Sequence, residues 1–202
     1  NVKKFFHEVT DKREHLSQKK WLSQSIQYRA PMIHPLNVIQ ILAIRHGAVC
    51  VATIDGALWI KQMKCKTHSA LPAIKLTAAR VINALAGNQN LNLIAEYDAS
   101  TIDDIRVETV GDVAYVYFDF YNGAANTQQC LRLKQRLAQV KASPAKVIVM
   151  MGGEDFFSNG IHLNCIEAAA DPALESWQNI NAIDDVVAEI IHTPNQLTVA
   201  AL

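Results

Sequence analysis

The strongest constraint on the fold lies after residue 112, where short β-rich runs alternate with helical patterns. The runs are "VAYVYFDF" at 113–120, "KVIVMM" at 146–151 and "QLTVAAL" at 196–202. "KVIVMM" is wholly apolar after its lysine, which is typical of a parallel strand that is covered on both faces. Strands separated by helices join into a parallel sheet through right-handed crossovers. The pattern therefore predicts an α/β fold built from β-α-β units.

The first predicted helix begins after Asn126, because Asn126 and Gln129 have the spacing of a capping box. It ends before Ser143 and Pro144, since a residue that precedes proline avoids the helical conformation. Apolar residues recur at helical spacing along one face, which we expect to pack on the sheet. These residues are Cys130, Leu133, Leu137 and Val140.

The second predicted helix begins after Asp171, a natural N-cap, with Pro172 at its first position. Pro194 follows its end. Its apolar stripe is also expected to be the buried face, whereas Asp184, Asp185 and Glu189 are expected to lie on a solvated face. The stripe consists of Leu174, Trp177, Ile180, Val187 and Ile191.

The first half of the chain has a different texture. Residues 1–30 are rich in Lys, Gln, Ser and His, which indicates a solvated, partly helical segment. Residues 31–94 contain short strands and turns, with a β-hairpin predicted at Asp55-Gly56 between two alternating runs. A helix is predicted at 76–85, and Gly87 is placed to end it.

Composition excludes several classes of function. Lys plus Arg and Asp plus Glu both number 19 in 202 residues, so no net charge attracts nucleic acid or an anionic membrane. The sequence has no membrane-spanning run and no signal peptide, which favours a cytoplasmic protein. Its four cysteines form no CxxC pair, so we expect reduced, packed thiols and no metal site. GxSxG, P-loop, HExxH and GxGxxG motifs are also absent from the sequence.

The loop that follows "KVIVMM" is the candidate functional site. Ligands of open α/β sheets bind beyond the carboxyl ends of the strands, which is where Gly152 and Gly153 lie. Glycines let the main chain approach a ligand closely, and the turn at 158–160 leads into a helix predicted to start at Ile161. Two main-chain N–H groups that converge there would hold an oxyanion without a side-chain nucleophile.

These residues also have ordinary structural interpretations. A Gly-Gly pair after a strand usually forms a tight turn, and Phe156 and Phe157 are expected to be core anchors rather than ligand walls. A lone histidine at a helix start, His162, is more often structural or solvent-facing than catalytic. Glu154 and Asp155 are neighbours in sequence, which favours a solvated loop over a catalytic pair of carboxylates.

Residues 111–202 resemble the first half of a crotonase (enoyl-CoA hydratase/isomerase) domain. "VAYVYFDF", "YNGAAN", "KVIVMM" and the loop "FFSNGI" follow that superfamily in order and spacing. More narrowly, "FDFYNGAANTQQC", "SNGIHLN" and "ESWQNINAIDD" resemble the HypX-type (HoxX) hydrogenase maturation factors, which are formyltransferase–crotonase fusions. "DGALWIKQMK" and "LPAIKLTAARV" are similar to the end of the formyltransferase half. The resemblance implies a β-rich, OB-like formyltransferase C-terminal region and linker at 1–94, and an incomplete crotonase domain at 95–202.

The resemblance also implies an activity. A formyl group moves from formyl-tetrahydrofolate to coenzyme A, and the formyl-CoA is decarbonylated to carbon monoxide, an iron ligand of NiFe hydrogenases. It makes the Ile161 amide one oxyanion-hole donor, presented by the bend at Gly160. No metal is implied, and the expected partners are the CoA thioester and the hydrogenase maturation machinery. The residues implied to line or adjoin the coenzyme A channel are Gly123, Ala124, Ser158, Asn159, His162 and Asn164.

Some parts of the family pattern have no counterpart in the sequence. These parts are the second oxyanion amide, the later acid/base residues and the folate-binding domain. Because the sequence begins with Asn1 and stops within an apolar run, we expect a piece of a longer enzyme, with little activity alone. The open edge of its last strand favours self-association. Two alternatives remain, an ordinary enoyl-CoA hydratase/isomerase and a non-catalytic crotonase-fold interaction module that contributes to an oligomer.

Overall fold

The computed structural model describes residues 41–53, 56–65, 71–86 and 102–202. The chain divides into two compact units, Asn1–Ile102 and Asp103–Leu202. The predicted domain boundary between residues 94 and 95 lies outside the described residues and stays a prediction. The same holds for the helical character predicted for residues 1–30.

The described part of the first unit is β-rich, as predicted. An antiparallel sheet contains, in spatial order, β1 (Ile41–Arg45), β2 (Ala48–Ala52) and β3 (Ala57–Ile60). A two-residue turn joins β1 to β2, and His46 and Gly47 in it have φ angles of 50° and 81°. The antiparallel pairing of β2 with β3 confirms the hairpin predicted at Asp55-Gly56, although Asp55 in its turn lies outside the described residues. The hairpin of β1 with β2 was not predicted.

The first unit also contains a second strand pair and a helix, namely β4 (Gln62–Lys64), β5 (Lys75–Thr77) and α1 (Ala78–Ala86). β4 and β5 are antiparallel. The helix predicted at 76–85 begins two residues later than expected, because Leu76 belongs to β5 and is buried there. Gly87, predicted to end this helix, lies outside the described residues.

The second unit is built on a four-stranded sheet, in spatial order β11 (Leu197–Ala201), β9 (Val147–Met151), β7 (Val113–Phe118) and β6 (Ile105–Val110). β7, β9 and β11 are parallel, which confirms the three predicted strands and the β-α-β pattern. β6 is absent from the predictions and pairs antiparallel with β7. Only its first residue, Ile105, is buried, although apolar and polar residues alternate over 105–108.

Three short elements follow strands of the sheet: β8 (Ala124–Ala125), β10 (Gly160–Ile161) and α3 (Leu163–Glu167). A single turn of 3₁₀ helix, Tyr121–Gly123, precedes β8. The helix predicted to start at Ile161 therefore begins at Leu163, because Ile161 is held in β10.

The helix α2 (Thr127–Lys141) has the predicted cap and the predicted buried face. The Asn126 side chain accepts a hydrogen bond from the Gln129 amide at 2.9 Å. The Asn126 amide in turn donates to the Gln129 side chain at 3.1 Å, which completes the capping box. The four residues of the predicted stripe are buried against the sheet: Cys130, Leu133, Leu137 and Val140.

The helix α4 (Pro172–Ile191) has the predicted cap at Asp171, but the prediction of its buried face is wrong. The residues that face the core are Asn179, Ala182 and Val186. The small side chain of Ala182 lets α4 approach the core closely, and Asn179 is buried because it is hydrogen-bonded. The predicted stripe is at least 40% exposed at every position: Leu174, Trp177, Ile180, Val187 and Ile191.

Within the second unit, the helices cover one face of the sheet. Ile148 and Met150 of β9 point into this core and are buried, whereas Val147 and Val149 on the opposite face are half-buried. The expectation that "KVIVMM" is covered on both faces therefore holds fully for one face and only in part for the other within this unit.

The adjacent valines of α4 test the corrected helix face. Val186 is 6% exposed and Val187 is 47% exposed. We expect Val186→Ala to lower the free energy of unfolding by about 2 kcal/mol, because it removes buried methyl groups and leaves a cavity. Val187→Ala should change it by less than about 0.5 kcal/mol. Urea unfolding of the chain measures both free energies. A larger loss of stability in Val187→Ala than in Val186→Ala would favour the buried face that was predicted from the sequence.

Candidate functional site

The loop after β9 begins with two tightly packed glycines. A Cβ atom on Gly152 would collide with the Cα atom of Phe157, and a Cβ atom on Gly153 would lie 2.6 Å from an Asp119 carboxylate oxygen. The Gly153 amide donates a hydrogen bond to the Phe156 carbonyl at 2.9 Å. The pair therefore forms a tight turn at the carboxyl end of β9, where larger side chains do not fit.

The two phenylalanines of the loop differ in burial. The Phe157 ring packs edge-on against the Phe118 ring of the core, with a distance of 5.3 Å between centroids. Phe156 is 46% exposed. The expectation of a core anchor is therefore confirmed for Phe157 and wrong for Phe156. Glu154 and Asp155 are exposed, as expected for a solvated loop.

The structure brings together the two segments that the sequence predicted to form the site. β10 pairs in parallel with β8, so that Gly160 lies opposite Ala124 and Ile161 lies opposite Ala125. The Asn159 amide also donates to the Gly123 carbonyl at 2.7 Å. Segments separated by more than thirty residues in sequence thus share one backbone junction.

Asn159 has a structural contact through its side chain as well. Its Nδ2 atom donates to the Asn122 carbonyl at 2.6 Å. Asn122 has a φ angle of 53°, a left-handed conformation that asparagine tolerates better than most residues. Sequence reasoning missed Asn122, and its signal was an Asn-Gly pair in a turn. Asn159 therefore stabilises the junction through hydrogen bonds from its side chain and its amide to the backbone that precedes β8.

Gly123 is buried directly under this loop. Its φ angle is 66°, and a Cβ atom there would lie 2.8 Å from the Phe156 Cβ atom and 3.2 Å from the Asn159 amide nitrogen. Backbone conformation and close approach therefore both require glycine. The predicted place of Gly123 and Ala124 in a coenzyme A channel stays a prediction.

Gly160 is required for a different reason. Its φ angle is 79°, but no atom lies within 4 Å of the position that a Cβ would occupy. The Gly160 amide donates to the Ser158 hydroxyl at 3.3 Å, and this local hydrogen bond stabilises the bend. The space beside Gly160 is thus open, and Ile161 follows it half-buried. The oxyanion-hole role of Gly160 and Ile161 stays a prediction.

His162 is buried at the start of α3, with 4% of its surface exposed. Its Nδ1 atom accepts a hydrogen bond from the Cys165 amide at 3.4 Å, so that it caps the helix. Burial lowers the pKa of His162 from its ordinary value of 6.5. These contacts agree with the structural interpretation of this residue. Asn164 lies half-buried in the first turn of α3, where its carbonyl accepts from the Ala168 amide at 3.2 Å.

Asn179 of α4 is a second residue at the junction that sequence reasoning missed. It is fully buried, and its Oδ1 atom accepts a hydrogen bond from the His162 amide at 3.0 Å. Its Nδ2 atom donates to the Ala125 carbonyl of β8 at 3.0 Å. Asn179 therefore connects both halves of the junction to α4. The pattern of α4 hid it, because an asparagine beside a strong apolar stripe is ordinarily assigned to the solvent.

The described residues also define the chemistry that is available. Among them, no group of three His, Cys, Asp or Glu side chains is placed to hold a metal ion. Cys50, Cys65 and Cys130 are buried free thiols, as expected, and Cys165 is half-buried. Burial raises the pKa of Cys130 to about 11, so its thiol stays protonated. Across these same ranges, no helix is long and apolar enough to cross a membrane.

The second unit is an α/β domain whose candidate site consists mainly of main-chain groups. No family model matches the chain. Over 162 residues the chain is 39% identical to the hydrogenase maturation factor HoxX of Bradyrhizobium diazoefficiens. The matched region makes up 80% of this chain and 27% of that protein. The chain is also similar to crystal structures of HypX from Aquifex aeolicus.

A HypX variant with six substitutions matches at 44% identity and a TM-score of 0.71, over 80% of this chain and 29% of HypX. HypX in complex with tetrahydrofolic acid matches at 44% identity and a TM-score of 0.70, over 80% of this chain and 28% of HypX. The chain is therefore homologous to the HoxX and HypX hydrogenase maturation factors, and it spans less than a third of their length.

The burial of His162 predicts a pH-dependent stability. Its folded-state pKa is lowered, so the unfolded chain binds the proton more readily. The stabilising contribution of neutral His162 is complete above about pH 6.5 and is lost as the pH falls towards the folded-state pKa. His162→Asn keeps a good N-cap without the titrating group. We expect urea unfolding to show a weaker loss of stability below about pH 6.5 in the variant. If the stability of the wild type and of His162→Asn fell in parallel with pH, His162 would not be the group that titrates.

Proposed function

We propose that the complete protein is a hydrogenase maturation enzyme that makes carbon monoxide. In this proposal, the thiol of coenzyme A takes the formyl group of formyl-tetrahydrofolate, which gives formyl-CoA and releases tetrahydrofolate. The C–S and C–H bonds of formyl-CoA then break, and the formyl hydrogen leaves as a proton that ends on the sulfur, which gives carbon monoxide and free coenzyme A. The proposal is supported by the homology to HoxX and HypX and by the tetrahydrofolic acid that the HypX of Aquifex aeolicus binds.

The second unit is assigned the CoA thioester. The junction of β8 with β10 carries this assignment, because it brings Ala124 and the Gly160–Ile161 bend to adjacent positions. In the proposed complex the Ile161 amide donates to the thioester oxygen and polarises the carbonyl. Preorganised N–H donors of this kind stabilise the negative charge that develops on oxygen. The proposed channel wall comprises Gly123, Ala124, Ser158, Asn159, His162 and Asn164.

The remaining assignments rest on the same homology. The β-rich first unit is assigned to the end of a formyltransferase half, and the second unit to a crotonase-like domain. The hydrogenase maturation machinery is the proposed partner, and the cytoplasm is the proposed location. No metal is assigned to the reaction.

A carbon monoxide assay tests the proposed reaction. The complete protein is supplied with formyl-tetrahydrofolate and coenzyme A, and carbon monoxide is trapped by haemoglobin. The proposal requires carbon monoxide formation that depends on both substrates. Turnover of crotonyl-CoA without carbon monoxide would favour an ordinary hydratase, and the absence of both activities would favour a non-catalytic module.

Two glycines with left-handed backbone test the role of the loop. Gly160 and Gly111 have φ angles of 79° and 58°, and a Cβ atom at either position would meet nothing within 4 Å. Valine should strain the backbone at both sites by about 1–2 kcal/mol. We expect Gly160→Val in the complete protein to abolish carbon monoxide formation, because the bend that presents the Ile161 amide is altered. Gly111→Val should retain it. Unchanged output from Gly160→Val would rule out the role of the loop.

A further inference from the structure

Two of the buried polar residues in the described part of the chain meet behind the proposed oxyanion donor. These residues, His162 and Asn179, are 4% and 0% exposed. The Asn179 side chain uses its acceptor for the His162 amide and its donor for the Ala125 carbonyl, both at 3.0 Å. A buried amide with both functions satisfied is rigid, because neither hydrogen bond can be exchanged for water.

We propose that Asn179 is a positioning residue that orients the Ile161 peptide towards the acyl thioester, an inference that rests on the proposed function. The amides on both sides of Ile161 have fixed partners. The Gly160 amide donates to Ser158, and the His162 amide donates to Asn179. The peptide planes around Ile161 are therefore constrained from both sides, and Asn179 ties them to the long helix α4.

The chemistry of asparagine fits this position. The site needs an acceptor for an N–H group and a donor for a carbonyl at the same time, and a primary amide supplies both. An aspartate at this position would direct its charge at the Ala125 carbonyl. A protonated carboxyl group, by contrast, keeps one donor and one acceptor and can imitate the amide. Burial favours this neutral form by raising the carboxyl pKa.

The test compares Asn179→Leu with Asn181→Leu in the complete protein. Asn181 is an exposed residue of the same helix, and its side chain donates to the Trp177 carbonyl at 2.6 Å. We expect Asn179→Leu to lower kcat for carbon monoxide formation by about 10- to 100-fold, since misorientation of a reacting group costs rate. The KM for coenzyme A should stay within about twofold, because the hydrogen bond to the carbonyl strengthens mainly as negative charge develops on its oxygen in the transition state. Asn181→Leu should leave both constants unchanged.

A spectroscopic readout separates positioning from a merely structural role. Binding of acetyl-CoA labelled with ¹³C at its carbonyl should lower the infrared carbonyl frequency in the wild-type protein, and less so in Asn179→Leu. If Asn179→Leu does not fold, Asn179→Asp takes its place. Its carbon monoxide formation should recover as the pH falls and the carboxyl group is protonated.

Three results overturn the assignment in distinguishable ways. A wild-type frequency shift that persists in Asn179→Leu, or an unchanged kcat, removes Asn179 from the site. An Asn179→Asp variant that keeps the wild-type rate at alkaline pH, where its carboxyl group is ionised, does the same. A wild-type protein that neither shifts the carbonyl frequency nor forms carbon monoxide overturns the proposed function itself.

Discussion

The parallel junction of β8 with β10 is the constraint on which the rest of the candidate site depends. Each strand has only two residues, and each backbone hydrogen bond contributes about 1 kcal/mol net, so the pairing alone is weak. Three other features hold it in place. Asn159 hydrogen-bonds to the backbone at 122–123, and Gly123 lacks the side chain that would push the loop away. Asn179 ties β8 and the residue that follows β10 to α4.

These features differ in how visible they are in the sequence. The cap and buried face of α2 are predictable because the signals are local and agree with one another. α4 carries apolar residues on two faces, and local periodicity cannot tell which face meets the core. The face with Ala182 and Val186 packs inward, and the larger stripe with Trp177 and Ile191 is exposed. The packing of α4 against the rest of the unit decides which face is buried, and the residue pattern of the helix alone does not contain this information.

The candidate site shows the same division. Gly152 and Gly153 after β9 form the tight turn that was their ordinary structural interpretation, and left-handed φ angles explain the glycines at Gly123 and Gly160. The functional role of the loop stays a prediction. The partners of the loop were not predictable, because Asn179 lies close to it only after α4 has packed on the sheet. β6 was missed for a related reason. It pairs with β7 through the backbone, and five of its six side chains are exposed, so its short alternation of apolar and polar residues does not mark a buried face.

The groups that hold the junction are neutral, and this determines how the site responds to its surroundings. Asn159, Asn179 and the main-chain amides carry no charge at any ordinary pH, and His162 is kept neutral by burial. Ion pairs weaken with added salt, whereas buried hydrogen bonds between neutral groups are screened much less. The orientation of the proposed donor should therefore be constant across salt concentrations and above the titration of His162. Any pH dependence of the rate in that range then reports the proton transfers of the reaction and not the geometry of the loop.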